Sequence, residues 1–178
     1  MEFGAVGLQN LLTHRGVGRS MGWKREVIIA RPHDDVWAAL TDVHRAPELL
    51  PGVTSARLVG DKPMGLGAEW EETRMRKGRE LKSVIRVTRW EPKNSFGAGA
   101  NAFGCLIEYH YDLAAHDEGT KVAVEALATP AKFWGRLFSK TMLRITEQVD
   151  GHHLDHVKKV LEGGGAPAPA DAKPPTQS

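Results

Sequence analysis

A single cysteine, Cys105, stands among 178 residues, and one thiol cannot close an internal disulfide. A reducing cytoplasm is the location this suggests. Long apolar runs are missing as well. No stretch of about 18 apolar residues occurs, so no membrane-spanning helix is expected. The N-terminus, Met-Glu-Phe-Gly, has no basic start followed by an apolar stretch, which argues against a secretory signal. Charge of one sign is scarce: 24 Lys and Arg stand against 22 Asp and Glu. That balance argues against nucleic-acid binding, which needs a concentrated basic face. Nucleotide fingerprints are absent too, because "GAGANAFG" at 97–104 lacks the strand-then-helix setting of a phosphate loop. No nucleotide or metal cofactor is expected.

What is present is an ordinary globular composition, 41% hydrophobic and 26% charged, and enough chain for one domain with a core. The ends differ from the middle. Residues 163–178, "GGGAPAPADAKPPTQS", have almost nothing to bury and are expected to be a disordered tail. Residues 1–20 show no clear period and are expected to be a disordered extension. The domain is placed at 21–162.

Its pattern is a strand, two short helices, six more strands and one long helix. Trp23 to Ala30 alternates as a strand, and "PHDDVWAALTDV" follows as a helix. Pro32 suits its first turn, and Asp34 and Asp35 favour its positive end. "HRAPELLPG" adds a second helical turn. Strands are then expected at Val53–Val59, on both sides of Lys77-Gly78, at "SFGAGA", at Phe103–Leu113 and at Thr120–Ala128. Pro130 is expected to open a helix that runs to about Glu162 and stops at Gly163 to Gly165. Short spacings between strands two to seven imply a meandering antiparallel sheet.

The stretch "GAEWEETRMRKGREL" fixes a register. If Lys77-Gly78 is a two-residue turn with Gly78 at positive φ, then Arg76 faces Arg79, Glu72 faces Ser83, Trp70 faces Ile85 and Glu69 faces Arg86. Opposed residues share a face. One face collects Ala68, Trp70, Glu72 and Arg74 with Val87, Ile85, Ser83 and Leu81. It is the more apolar and is expected inside. Glu69 and Glu71 then point to solvent, and Glu72 points inward. An isolated buried carboxylate is costly, so three roles are open for Glu72. It pairs with Arg74 or Ser83, it holds the polar end of a greasy ligand, or it is a general acid or base.

The element order resembles the helix-grip fold, in which a curved antiparallel sheet wraps a long C-terminal helix and encloses a cavity. "VIIARPHDDVWAALTDVHRAPELLPGV", "GLGAEWEETRMRKGREL", "VTRWEPKNSF", "EYHYDLAAHDEGTKVAVE" and "HVKKVLEG" resemble, in order, the SRPBCC or START-like superfamily and its polyketide cyclase/dehydrase group. The likeness spans about residues 23–163. It implies an α+β fold with a seven-stranded sheet and a ligand cavity. It does not choose among cyclases, dioxygenase subunits and lipid carriers.

Cavity walls are sought on the inward faces. The hairpin offers Trp70, Glu72, Arg74, Ser83 and Ile85. Phe96 and Phe103 flank the small-residue strand 97–100, where missing side-chain volume leaves room. Strand six presents Cys105, Ile107, Tyr109 and Tyr111 on one face, and the two phenols need hydrogen-bond partners. Trp134, Phe138 and Met142 lie on one stripe of the long helix. In "GHHLDH", His152 and His156 are four apart, but with no third ligand evident the group reads as a solvated helix flank. Cys105 reads as an inert buried thiol.

The function expected is binding of a small hydrophobic ligand by a monomer or homodimer. The first alternative is a cyclase or dehydratase-like enzyme in which Glu72 and Tyr109 handle protons. The second is an interaction module with a vestigial cavity.

Overall fold

The computed structural model describes residues 21–102, 104–130 and 135–163, without the side chains of Met21, Arg136, Leu137, Phe138, Met142 and Val149. Both terminal expectations, over 1–20 and beyond Gly163, therefore lie outside the described residues.

Seven strands form one sheet: β1 (Met21–Ile29), β2 (Val53–Leu58), β3 (Glu69–Arg76), β4 (Arg79–Glu91), β5 (Ser95–Ala102), β6 (Cys105–His116) and β7 (Gly119–Pro130). Their spatial order is β1-β7-β6-β5-β4-β3-β2. Strands two to seven are a meander, and β1 closes the far edge by pairing antiparallel with β7. Between β1 and β2 lie α1 (His33–Thr41), a 3-10 turn (Val43–Arg45) and the short α2 (Ala46–Leu49). Pro32 is the N-cap of α1, which carries Asp34 and Asp35 in its first turn, where carboxylates meet the positive end of the helix dipole.

The hairpin register is the expected one at every position from Glu69↔Arg86 to Arg76↔Arg79. Lys77 and Gly78 both take positive φ, 48° and 74°, as a two-residue turn matched to strand twist requires. Outside, Glu69 lies 3.9 Å from Arg86 and Glu71 lies 2.6 Å from Arg57. Inside, Glu72 is 3% exposed.

Irregularities bend the sheet. Register shifts occur between Val53 and Ser55 on β2 and between Val87 and Arg89 on β4, and such bulges increase local twist. On β5, Phe96, Ala98 and Ala100 face Tyr111, Tyr109 and Ile107. The alternate positions are glycines on the outer face. A Cβ at Gly99 would sit 2.6 Å from the Ile107 carbonyl oxygen and 2.7 Å from Glu108 Cγ.

The C-terminal helix differs from expectation in two ways. Pro130 does not open it; Pro130 ends β7 and pairs with Cys105. The helix is also divided, into α3 (Gly135–Asp150) and α4 (His153–Glu162). The break falls at Gly151, whose N–H still reaches the Glu147 carbonyl at 2.9 Å. A Cβ there would lie 2.2 Å from that same oxygen, so a side chain would not fit this turn.

Each half is anchored separately. The Cys105 thiol donates to the Gly135 carbonyl at 3.2 Å, and Trp23 Nε1 donates to Thr146 Oγ1 at 3.2 Å. α4 inserts Leu154, Val157 and Leu161 into the main core with Ile29, Val122 and Val124. Its last turn holds the end of β1, where Arg31 Nε donates to the Leu161 carbonyl at 2.7 Å. No described helix is long and apolar enough to cross a membrane.

Candidate functional site: a cavity with a charged floor

Between the inner face of the sheet, α2 and the α3–α4 break lies a cavity of about 130 Å³. β3 contributes Trp70, Glu72 and Arg74, and β4 contributes Ile85. β5 gives Phe96 and the small residues Ala98, Gly99 and Ala100. Because alanines occupy the inward positions opposite Tyr109 and Ile107, side-chain volume is missing on this part of the inner face. Leu40, Val43, Ala46 and Leu49 close the side formed by α1 and α2, and Met64 comes from the β2–β3 loop.

Polar groups converge on one end. Arg74 Nε lies 2.5 Å from Glu72 Oε1, and its Nη1 lies 2.9 Å from Asp150 Oδ1. Asp150 is the last residue of α3, so this guanidinium joins the hairpin to the helix break. Tyr109 donates its phenol proton to the other Asp150 oxygen at 2.5 Å. Both oxygens of Asp150 are thus engaged. Next to it, His153 opens α4 and is 3% exposed. Its Nδ1 lies 2.5 Å from the Asp150 carbonyl oxygen and its Nε2 lies 2.9 Å from the Tyr111 hydroxyl. A carbonyl only accepts, so Nδ1 carries the proton. In the neutral ring Nε2 then accepts from Tyr111. Phe96 stacks on Tyr111 at 4.6 Å and 9°, which fixes the plane from which that hydroxyl points.

Electrostatics follow from burial and from these partners. Burial lowers the pKa of His153; the Asp150 carbonyl and carboxylate oppose this without cancelling it. Burial, then the Asp150 carboxylate, raises Tyr109 well above the ordinary phenol range. Tyr111 is raised by burial and then by Asp150. For Arg74 burial works against the charge, yet the carboxylates of Glu72 and Asp150 outweigh it and hold the guanidinium protonated. The site therefore contains a fixed cation between two carboxylates, two protonated phenols and a neutral imidazole.

Of the residues singled out in the sequence, Trp70, Glu72, Arg74, Ile85, Phe96, Tyr109 and Tyr111 come together at this cavity. Ser83 pairs with Glu72 in the ladder but is exposed, because β4 is paired with β5 only from Arg86 onward. Cys105 and Ile107 are buried in the main core, and neither is among the described wall residues. Phe103 and Trp134 lie outside the described residues, as do the side chains of Phe138 and Met142.

Sequence reasoning misses the wall given by α1, α2 and Met64, and with it three polar wall residues, Asp42, Asp150 and His153. The solvated flank expected for "GHHLDH" is corrected at His153, whose ring is buried. His152 and Asp155 fit that expectation, being exposed, while His156 is half-buried and its Nε2 lies 3.1 Å from the Glu48 carbonyl oxygen. A signal is available in the spacing. His153 falls four residues after Val149 and four before Val157, on the apolar stripe itself.

A curved seven-stranded antiparallel sheet closed by a C-terminal helix over a cavity defines the helix-grip class. Within that class the chain belongs to the polyketide cyclase / dehydrase and lipid transport family, whose model matches residues 23–162. No curated protein matches the chain. Among solved structures, Ara h 8.0201 is 16% identical, with 82% of this chain and 97% of that one covered and a TM-score of 0.61. The di-domain ARO/CYC StfQ from the steffimycin biosynthetic pathway is 13% identical, with 81% and 51% covered and a TM-score of 0.65; the chain spans about half of that protein. TTHA0849 from Thermus thermophilus is 14% identical, with 83% and 100% covered and a TM-score of 0.61. At these identities the likeness is one of fold.

Proposed function

We propose that this protein binds a small hydrophobic ligand in the cavity between the sheet and the α3–α4 break. The observation that carries the reading is the division of the cavity. Its walls are apolar at Trp70, Ile85, Phe96 and Ala98, and its floor is a connected polar network from Glu72 to Tyr111. Ligand sites commonly pair an apolar body with a few placed polar groups. In this reading Glu72 is the partner that holds Arg74 in place, and the floor meets the polar end of the ligand. Native mass spectrometry of the purified protein is expected to show a co-purifying small molecule, and apolar aromatic probes are expected to raise its melting temperature. If neither happens, the cavity is vestigial and the alternative of an interaction module stands.

One observation favours a second reading, a cyclase or dehydratase-like enzyme. A cavity-facing imidazole held neutral is suited to accept a proton. Glu72 is tied to Arg74 and Tyr109 is held protonated, so the base in such an enzyme would be His153, with Tyr111 passing the proton. His153→Gln would then retain ligand binding and lose turnover, whereas a carrier has no turnover to lose.

A further inference from the structure

We propose that the cavity selects a ligand whose polar end is a neutral hydroxyl or a protonated amine, and that it turns away carboxylates. This rests on the reading of the cavity as a ligand site and concerns only the chemistry of what enters it.

An arginine in a greasy cavity invites the opposite idea, that Arg74 anchors an acid. The charges around it argue against that. The described walls include three carboxylates, Asp42 at the rim and Glu72 and Asp150 at the floor, against the one guanidinium of Arg74. Arg74 is flanked by two of them at 2.5 and 2.9 Å. Arg45, three residues beyond Asp42, does not line the cavity; its Nε meets Glu48 at 2.9 Å, and its Nη2 is buried without a partner among the described residues. The basic hairpin tip, Arg76, Lys77 and Arg79, is exposed and also absent from the walls. An entering carboxylate would lose its hydration and meet a negative floor.

Hydrogen-bond capacity points the same way. Tyr109 and Tyr111 have directed their single protons at Asp150 and His153, so each offers the cavity a lone pair. The carboxylates offer only lone pairs. A ligand that donates therefore finds partners, and the Trp70 indole N–H, a buried wall donor without a partner among the described residues, can donate to a neutral hydroxyl oxygen. Arg74 has five N–H protons in all, two of them engaged here, and a neutral hydroxyl oxygen can accept from the others without bringing a charge. A hydroxyl both donates and accepts; an amine donates and supplies the missing positive charge. A site built this way discriminates by leaving the wrong ligand's groups unmatched.

Three probes sharing one aromatic body test this: naphthol, naphthylmethylamine and naphthoate, titrated calorimetrically at neutral pH. Naphthol and naphthylmethylamine are expected to bind, and naphthoate to bind at least about tenfold more weakly, since like charges brought together at an interface are strongly penalised. Glu72→Gln, and independently Asp42→Asn on the exposed rim, are expected to tighten naphthoate relative to naphthol. Naphthoate binding as tightly as the other two overturns the inference while leaving the cavity a ligand site. Failure of all three probes overturns the ligand-site reading and this inference with it.

Discussion

Arg74 and Asp150 are separated by 76 residues and meet at 2.9 Å, which makes one guanidinium the tie between the β3–β4 hairpin and the break in the C-terminal helix. Glu72 holds the other side of the same group. Removing the cation leaves two largely buried carboxylates facing each other. Arg74→Met is therefore expected to lower stability by about 3 kcal/mol, read from chemical denaturation. Adding Glu72→Gln to it should recover part of that loss. Arg74→Lys should fall between, because an ammonium cannot reproduce the forked geometry. If Arg74→Met is as stable as the parent, the tie carries no weight.

His153 predicts how stability varies with pH. Burial depresses its pKa in the folded state below the ordinary 6.5. As pH falls through about 6.5 the unfolded chain takes up a proton that the folded chain refuses, so stability is lost on that side and is fully present above it. Asp150, Arg74 and Asp155 all act on the ring, so the informative quantity is a difference between proteins. The parent should lose more stability between pH 7 and pH 5 than His153→Gln does, with denaturation midpoints as the measurement. Equal slopes would mean that the imidazole is not held neutral.

Tyr111 should separate ring from hydroxyl. Tyr111→Phe keeps the stack on Phe96 and leaves His153 Nε2 without its donor. A buried acceptor left unmatched costs about 1–3 kcal/mol. Thermal denaturation should show that loss, and Tyr111→Leu should cost more because the stacked ring goes too.

Gly99 tests the curvature. Its Cβ position is closed by the Ile107 carbonyl at 2.6 Å, backbone that cannot swing aside. Gly99→Ala is expected to destabilise by about 1–3 kcal/mol, whereas Gly78→Asn, in open space at the hairpin turn, should be nearly silent since Asn tolerates positive φ.

The hairpin is legible in the sequence because two local rules, turn chemistry and the two-residue period of a strand, determine it without help from elsewhere. Register groups Trp70, Glu72 and Arg74 on one face, and the greater apolar content of that face places it inside. Tyr109 and Tyr111 are legible for the same reason, as alternate residues on one strand. Asp150 and His153 are not, because a polar residue on a helix is assigned to solvent unless something distant buries it. What buries them is a glycine break in the helix and a guanidinium 76 residues away. The break itself is hidden by a helical period that runs on through Gly151: Val149, His153, Val157 and Leu161 keep their spacing of four. Phase is preserved while the helix is interrupted.

If a small molecule occupies the space left by the alanines of β5, filling that space removes its binding site. Ala98 is 8% exposed, opposes Tyr109 and forms part of the cavity wall. Calorimetric titration of naphthol into the parent and into Ala98→Leu, with both shown folded by circular dichroism, is the measurement. Binding to the parent is expected, with a loss of about tenfold or more in Ala98→Leu, since an added side chain competes with ligand for the same volume. Equal affinity in the two proteins would contradict this placement and put the ligand elsewhere.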